Sequence, residues 1–205
     1  MNKKWLLFLI VVLMIPQCTF AKKLKEEPLA KTPLPEYAAT DEQATLLYAQ
    51  NDIEKSFQAL LTIPDDARTA QNWLLLGNIL HDKGKNDDAI FMYNEAVQTD
   101  INYYKGYYNL GVLYLEQNKP NMAVSQFQTV IKLKKDYAYA HYNLACAYIQ
   151  LGNLKMARRE LLSAIALNKN VPEFHYNLAY VYKQLKNDKN AKIYLGFYDK
   201  LESEQ

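Results

Sequence analysis

Three histidines, two cysteines and a recurring Tyr-Asn pair are the residues of this chain whose chemistry invites a functional reading. His141 and His175 stand 34 residues apart, with His81 upstream, and none falls in an HExxH arrangement. Cys18 and Cys146 are far apart in sequence, so no paired-cysteine metal motif is formed. No Gly-rich phosphate loop and no nucleophile-elbow serine is present. The inventory therefore argues against an enzyme, and no metal or cofactor is expected. The Tyr-Asn pairs are more informative. Tyr108-Asn109, Tyr142-Asn143 and Tyr176-Asn177 recur at a step of 34. An asparagine both donates and accepts, and so can pair with the main chain of an extended peptide. Tyrosine adds contact area at low entropic cost. The same asparagines could equally bond one repeat to the next, and the sequence leaves both roles open.

A step of 34 governs much more than those pairs. Leu76, Leu110, Leu144 and Leu178 keep it, as do Gly77, Gly111, Ala145 and Ala179, and Ala89, Ala123, Ala157 and Ala191. A period of that length marks stacked copies of one supersecondary unit. Four copies can be laid end to end over 70–103, 104–137, 138–171 and 172–205. Each holds two apolar-periodic stretches long enough for helices. Between them lie Gly84-Lys85-Asn86, Asn118-Lys119-Pro120, Gly152-Asn153-Leu154 and Lys186-Asn187-Asp188, rich in residues that end helices in the left-handed conformation. Pro120 and Pro172 fall where a helix starts, a position that tolerates the missing N–H. The Gly/Ala positions suit the close crossing of two helices in a hairpin. His141 and His175 occupy the repeat position held by Trp73 and Tyr107, which points to packing rather than ligation.

A worn copy precedes these four. Ala44, Leu47, Asn51, Ser56 and Leu60 align with Gly77, Leu80, Gly84, Ala89 and Tyr93 at an offset of 33, so 41–69 reads as a degenerate N-terminal repeat closed by Pro64-Asp65-Asp66.

Large residue, Leu, Gly/Ala, then Tyr, Ala and an aromatic at period 34 resembles the tetratricopeptide repeat (TPR) over 70–205. The resemblance implies an all-α, right-handed superhelical solenoid of stacked antiparallel helix pairs. It also implies that the first helix of each repeat lines a concave groove. Carried over position by position, that groove would hold Asn78, Tyr108, Asn109, Tyr142, Asn143, Cys146, Tyr176, Asn177 and Tyr180. The family's chaperone-binding variant needs cations where this chain has Leu74, Tyr139 and Asn143, so that specificity is not expected.

Half of the residues are hydrophobic while the mean hydropathy is -0.32, as expected of amphipathic elements that bury one face each. The net charge of +2 includes no basic block in the body of the chain, which removes the electrostatic case for nucleic acid. The N-terminus reads as a secretory signal peptide over 1–21: Lys3-Lys4, the apolar run Trp5 to Ile15, Pro16, then Thr19-Phe20-Ala21 before the cut. The run is too short to span a membrane as a helix, which takes roughly 17–25 residues. Cys18 gives a second option, lipidation, although Pro16 and Gln17 depart from the small residues that usually precede a lipidated cysteine. An uncleaved segment would anchor the domain, so contact with a membrane is expected only through this stretch. Residues 22–40, with their lysines, glutamates and three prolines, read as a linker.

At the other end, Ile193, Tyr194, Phe197 and Tyr198 lie on the last helix with no further repeat to cover them, an arrangement suited to docking a partner or a second copy. The expectation is a non-catalytic scaffold or adaptor for a peptide or protein partner in a bacterial envelope, periplasmic or secreted. The alternative is a membrane-tethered assembly subunit.

Overall fold

The structure, a computed structural model, describes residue 34 and residues 36–204; the signal-peptide and Cys18 assignments and most of the linker lie outside the described residues. Those residues form ten α-helices and no strand. Helices α1 (Ala38–Ala49) and α2 (Ile53–Leu61) make the first hairpin, followed by a short 3-10 turn at Asp65–Ala67. The next hairpins are α3 (Ala70–Asp82) with α4 (Asn86–Thr99), and α5 (Tyr104–Glu116) with α6 (Pro120–Leu133). Then come α7 (Ala138–Gln150) with α8 (Leu154–Leu167), and α9 (Pro172–Gln184) with α10 (Asp188–Ser203). Helix α1 starts three residues inside the stretch that the sequence suggests is linker. The chain divides into two compact units, the first ending at Lys134 and the second starting at Lys135.

One turn chemistry closes every hairpin. Asn51, Gly84, Asn118, Gly152 and Lys186 all take positive φ, between 55° and 72°. At the first clear repeat, Gly84 N–H donates to His81 O and Lys85 N–H to Leu80 O. These are the two crossed bonds of a Schellman motif, which satisfies carbonyls the helix end would leave orphaned. The same pair recurs at Asn51/Asp52, Asn118/Lys119, Gly152/Asn153 and Lys186/Asn187. Pro120 and Pro172 are each the first residue of a helix. Helix α3 also has a capping box: Thr69 Oγ1 accepts from Asn72 N–H, and Asn72 Oδ1 accepts from Thr69 N–H.

Within the first unit, the small residues at the hairpin contacts make room for aromatic rings. A Cβ on Gly77 would stand 2.4 Å from the Tyr93 ring, and one on Gly111 would stand 2.7 Å from the Phe127 ring. The sequence pairs Gly77 with Ala89 as a crossing; the nearest obstacle is instead the ring one turn further along α4. The degenerate repeat follows the same plan with a polar substitution. Ser56, at the position of Ala89, is fully buried because its hydroxyl donates to Ala44 O at 2.8 Å.

Within the second unit the corresponding pairs are Ala145 with Leu161 and Ala179 with Leu195. At these positions the sequence exchanges glycine and a ring for alanine and the smaller leucine. Leu144, Leu161 and Leu178 are buried, as are Leu76 and Leu110 of the first unit. Burying each such side chain is worth about 1.5–3 kcal/mol.

Candidate functional site

The asparagine positions lie on the first helices of the hairpins. In the first unit, Asn78 Oδ1 accepts from Tyr93 Oη at 3.0 Å and from Asn109 Nδ2 at 2.8 Å. The α3 asparagine is thus tied both to its own hairpin partner α4 and to the next first helix, α5. Tyr108, beside Asn109, is fully buried and sets its ring edge-on to Phe127 at 5.8 Å. Burial raises the Tyr93 hydroxyl pKa well above the ordinary phenol value, so it stays a hydrogen-bond donor.

In the second unit the partners change while the logic holds. Asn177 Nδ2 of α9 donates to Tyr142 Oη of α7 at 3.0 Å and approaches Cys146 Sγ at 3.7 Å. Tyr142 stacks on Phe174 at 4.8 Å. Asn143, Cys146 and Asn177 are buried. Tyr176 is partly exposed and packs against Tyr198 of α10 at 5.2 Å; Tyr180 is partly exposed. Of the nine candidate groove residues, seven are buried, and only these two tyrosines of α9 keep partial exposure. Of the two roles the sequence leaves open for asparagine, Asn78, Asn109 and Asn177 visibly perform the bonding between neighbouring repeats.

Two further features of these helices are harder to see in the sequence. His81 of α3 donates through Nε2 to Glu116 Oε2 of α5 at 2.7 Å, a partly exposed bond that crosses from one repeat to the next. Each opens a short polar stretch at its helix end, and only a 34-residue alignment brings the two ends together. In the second unit, His141 of α7 donates through Nδ1 to Glu160 Oε2 of α8 at 2.9 Å, and Arg159 grips the other carboxylate oxygen through Nε and Nη2. Burial pushes the Glu160 pKa up, but the bonds and charges of His141 and Arg159 outweigh it and hold the carboxyl below its ordinary value of 4.5. His175, one repeat later, is buried; its Nε2 donates to Lys169 O at 2.8 Å. Tyr194 and Phe197 cover its ring, at 6.1 and 5.5 Å, because Tyr194 replaces Glu160 at this repeat position. Both histidines are packing residues. Among the described residues no group of three or more His, Cys, Asp or Glu side chains is placed to hold a metal ion.

On α10, Ile193 and Phe197 are 45% and 48% exposed, whereas Tyr194 and Tyr198 turn inward against Tyr182 and Tyr176. The four residues grouped at this end by the sequence thus divide into Ile193 and Phe197, which are about half exposed although the Phe197 ring also touches His175, and two that close the hairpin. No helix among the described residues is long and apolar enough to cross a membrane.

The chain belongs to the TPR repeat family, whose pattern matches residues 77–118, 113–152 and 146–186, more than half of its length. Solved structures agree on the fold. MamA 41-end from Desulfovibrio magneticus RS-1 superposes with a TM-score of 0.75 at 16% identity, over 84% of this chain and 98% of that one. A MamA RS-1 double mutant gives 0.74 at 16% identity, over 84% and 98% of the two chains. A further MamA crystal structure gives 0.71 at 21% identity, over 78% and 95%. No curated protein matches the sequence. The fold is thus an all-α TPR array, an architecture that serves protein–protein interaction.

Proposed function

We propose that this protein is a non-catalytic scaffold or adaptor that holds a peptide or protein partner along the first helices of its repeats. Of the groove candidates, Tyr176 and Tyr180 in the second unit are the part open to a partner; Asn78, Tyr108 and Asn109 in the first unit and Tyr142, Asn143, Cys146 and Asn177 in the second are buried. One observation carries the reading. The Asn177 amide is already fixed by Tyr142 and Cys146, while Tyr176 and Tyr180 on the same helix keep partial exposure. A rigid polar floor beside amphipathic rings binds with little ordering cost. The N-terminal pattern of lysines, apolar run and Thr19-Phe20-Ala21 supports export to a bacterial envelope, as a periplasmic or secreted protein. The test is affinity capture from envelope extract with the full chain as bait, alongside Tyr176→Ala/Tyr180→Ala. Loss of a discrete partner from the variant supports the reading; equal recovery by both baits contradicts it.

A second reading, a membrane-tethered assembly subunit, rests on Cys18 directly after the apolar run. Mass spectrometry of the mature N-terminus separates the two: a chain starting at Lys22 supports the released form, and a lipidated Cys18 supports the tether. In either form, the outward face of α10 at Ile193 and Phe197 offers a second docking surface.

A further inference from the structure

The outward face of α10 has a counterpart three repeats earlier, and the two are opposite in charge. Lys189, Ile193 and Phe197 of α10 hold the same repeat positions as Asp87, Phe91 and Glu95 of α4. Phe91 is 57% exposed, Ile193 45% and Phe197 48%. On α4 the exposed phenylalanine is flanked by Asp87, Asp88 and Glu95; on α10 the exposed pair is flanked by Lys189, Lys192 and Lys200. The two intervening repeats place Asn121, Ser125 and Thr129, or Lys155, Arg159 and Ser163, at these positions. Repeat packing therefore does not require the apolar residues, since two hairpins do without them.

Most of these charges are unpaired among the described residues. Asp87, Asp88, Glu95, Lys189 and Lys192 make no close ion pair there, although Lys192 lies near enough to Asp188 of its own helix to favour that carboxylate. Lys200 reaches Glu204 only at 3.8 Å on the open helix surface. Lys189 sits in the first turn of α10, where the helix dipole disfavours a cation. Gly196 lies on the same face, and a Cβ there would meet nothing within 4 Å. Mid-helix glycine costs about 1 kcal/mol relative to alanine, so the notch between Ile193 and Phe197 is costly to the helix and leaves room for close approach from outside.

We infer that the occupant of the α10 face is a second copy of this chain, which presents the acidic, phenylalanine-centred face of its α4. This rests on reading α10 as a docking face and names its partner. Phe91 would lie in the Ile193–Gly196–Phe197 notch, with the aspartates of α4 against the lysines of α10. Because the two faces differ, the contact is heterologous: each copy carries one donor and one acceptor face. One helix on one helix is a small interface, so the association is weak and sensitive to salt.

The experiment is sedimentation velocity of the full chain over a range of concentration and salt. The expected result for the wild type is concentration-dependent association that weakens as salt rises. Lys189→Glu/Lys192→Glu and Asp87→Lys/Asp88→Lys are each expected to weaken it by about tenfold or more, a loss of about 1.4 kcal/mol. Mixing the two variants restores association between unlike copies, because the acidic α10 of one then meets the basic α4 of the other, and the reverse, while contacts between like copies stay repulsive. A wild type that stays monomeric at the highest concentration overturns the second-copy assignment. Wild-type association that neither Phe197→Ser nor the charge variants alter overturns the α10 docking reading itself. Binding of a monomeric wild type to anionic vesicles, lost on Lys189→Glu/Lys192→Glu, also overturns the second-copy assignment and gives the face to a lipid surface. The groove reading is unaffected by any of these outcomes, since none of the substituted residues lies on α3, α5, α7 or α9.

Discussion

The first unit packs its hairpins with glycine under an aromatic ring; the second packs them with alanine beside leucine. Gly77 and Tyr93, then Gly111 and Phe127, give way to Ala145 and Leu161, then Ala179 and Leu195. A second contrast accompanies the first. At the position of Trp73 and Tyr107, the second unit places His141 and His175, and meets the first with the buried Glu160 carboxylate and the second with aromatic rings. One 34-residue plan thus tolerates different core chemistries at the same repeat positions. What it does not vary is the turn, where a positive φ recurs in all five hairpins.

The largest effect should come from overfilling the first unit. Gly111→Val drives a branched side chain into the Phe127 ring and is expected to cost about 3 kcal/mol, the upper range for overpacking. Urea denaturation measures it. The comparison is sharpened by converting one repeat into the other kind. Gly77→Ala and Tyr93→Leu should each destabilise alone, while the double variant recovers a coupling energy of about 1–3 kcal/mol. Strict additivity would show that the two residues do not share the space.

Next in size is Glu160→Ala. It leaves the largely covered His141 without its acceptor and releases the exposed Arg159 to solvent, and should cost about 1–3 kcal/mol near neutral pH. The depressed pKa fixes the sign of the pH dependence. The contribution of Glu160 is full above the ordinary carboxylate value of 4.5 and is lost as pH falls through the lower value it has in the fold. Thermal unfolding of the wild type should therefore lose stability faster on acidification than Glu160→Gln does.

The smallest effects lie in the turns. Gly84→Ala, at φ +72°, is expected to cost about 1 kcal/mol. Lys186 holds the same left-handed position at φ 58°, and Lys186→Gly should gain about 0.5–1 kcal/mol. An equal response at both sites would contradict the view that one turn geometry is imposed on different residues.

The helices, their hairpin pairing and all four predicted turns were legible in the sequence, because each is set by local chemistry that recurs every 34 residues. Gly84, Asn118 and Gly152 announce their left-handed turns by residue type; Lys186 does not, and only its place in the repeat finds it. The Gly77–Ala89 crossing was read from the repeat, but periodicity does not say that the Tyr93 ring is the atom group nearest to Gly77. The candidate site was less legible for a different reason. Asparagine can serve a neighbouring repeat or a ligand with the same atoms, and only coordinates show Asn109 bonded to Asn78 and Asn177 bonded to Tyr142. The His81–Glu116 and His141–Glu160 pairs were likewise invisible, because a hydrogen bond between helices depends on rotation about each helix axis.

The proposal that the first helices hold the partner is tested most directly by site-specific photocrosslinking in cells. A photoreactive amino acid replaces Tyr180 on α9, with an exposed position of α8, Arg158, as the comparison. A discrete adduct from position 180 and none from 158 is the predicted result. Adducts from 158 alone, or from neither position while the protein still captures its partner, would contradict it.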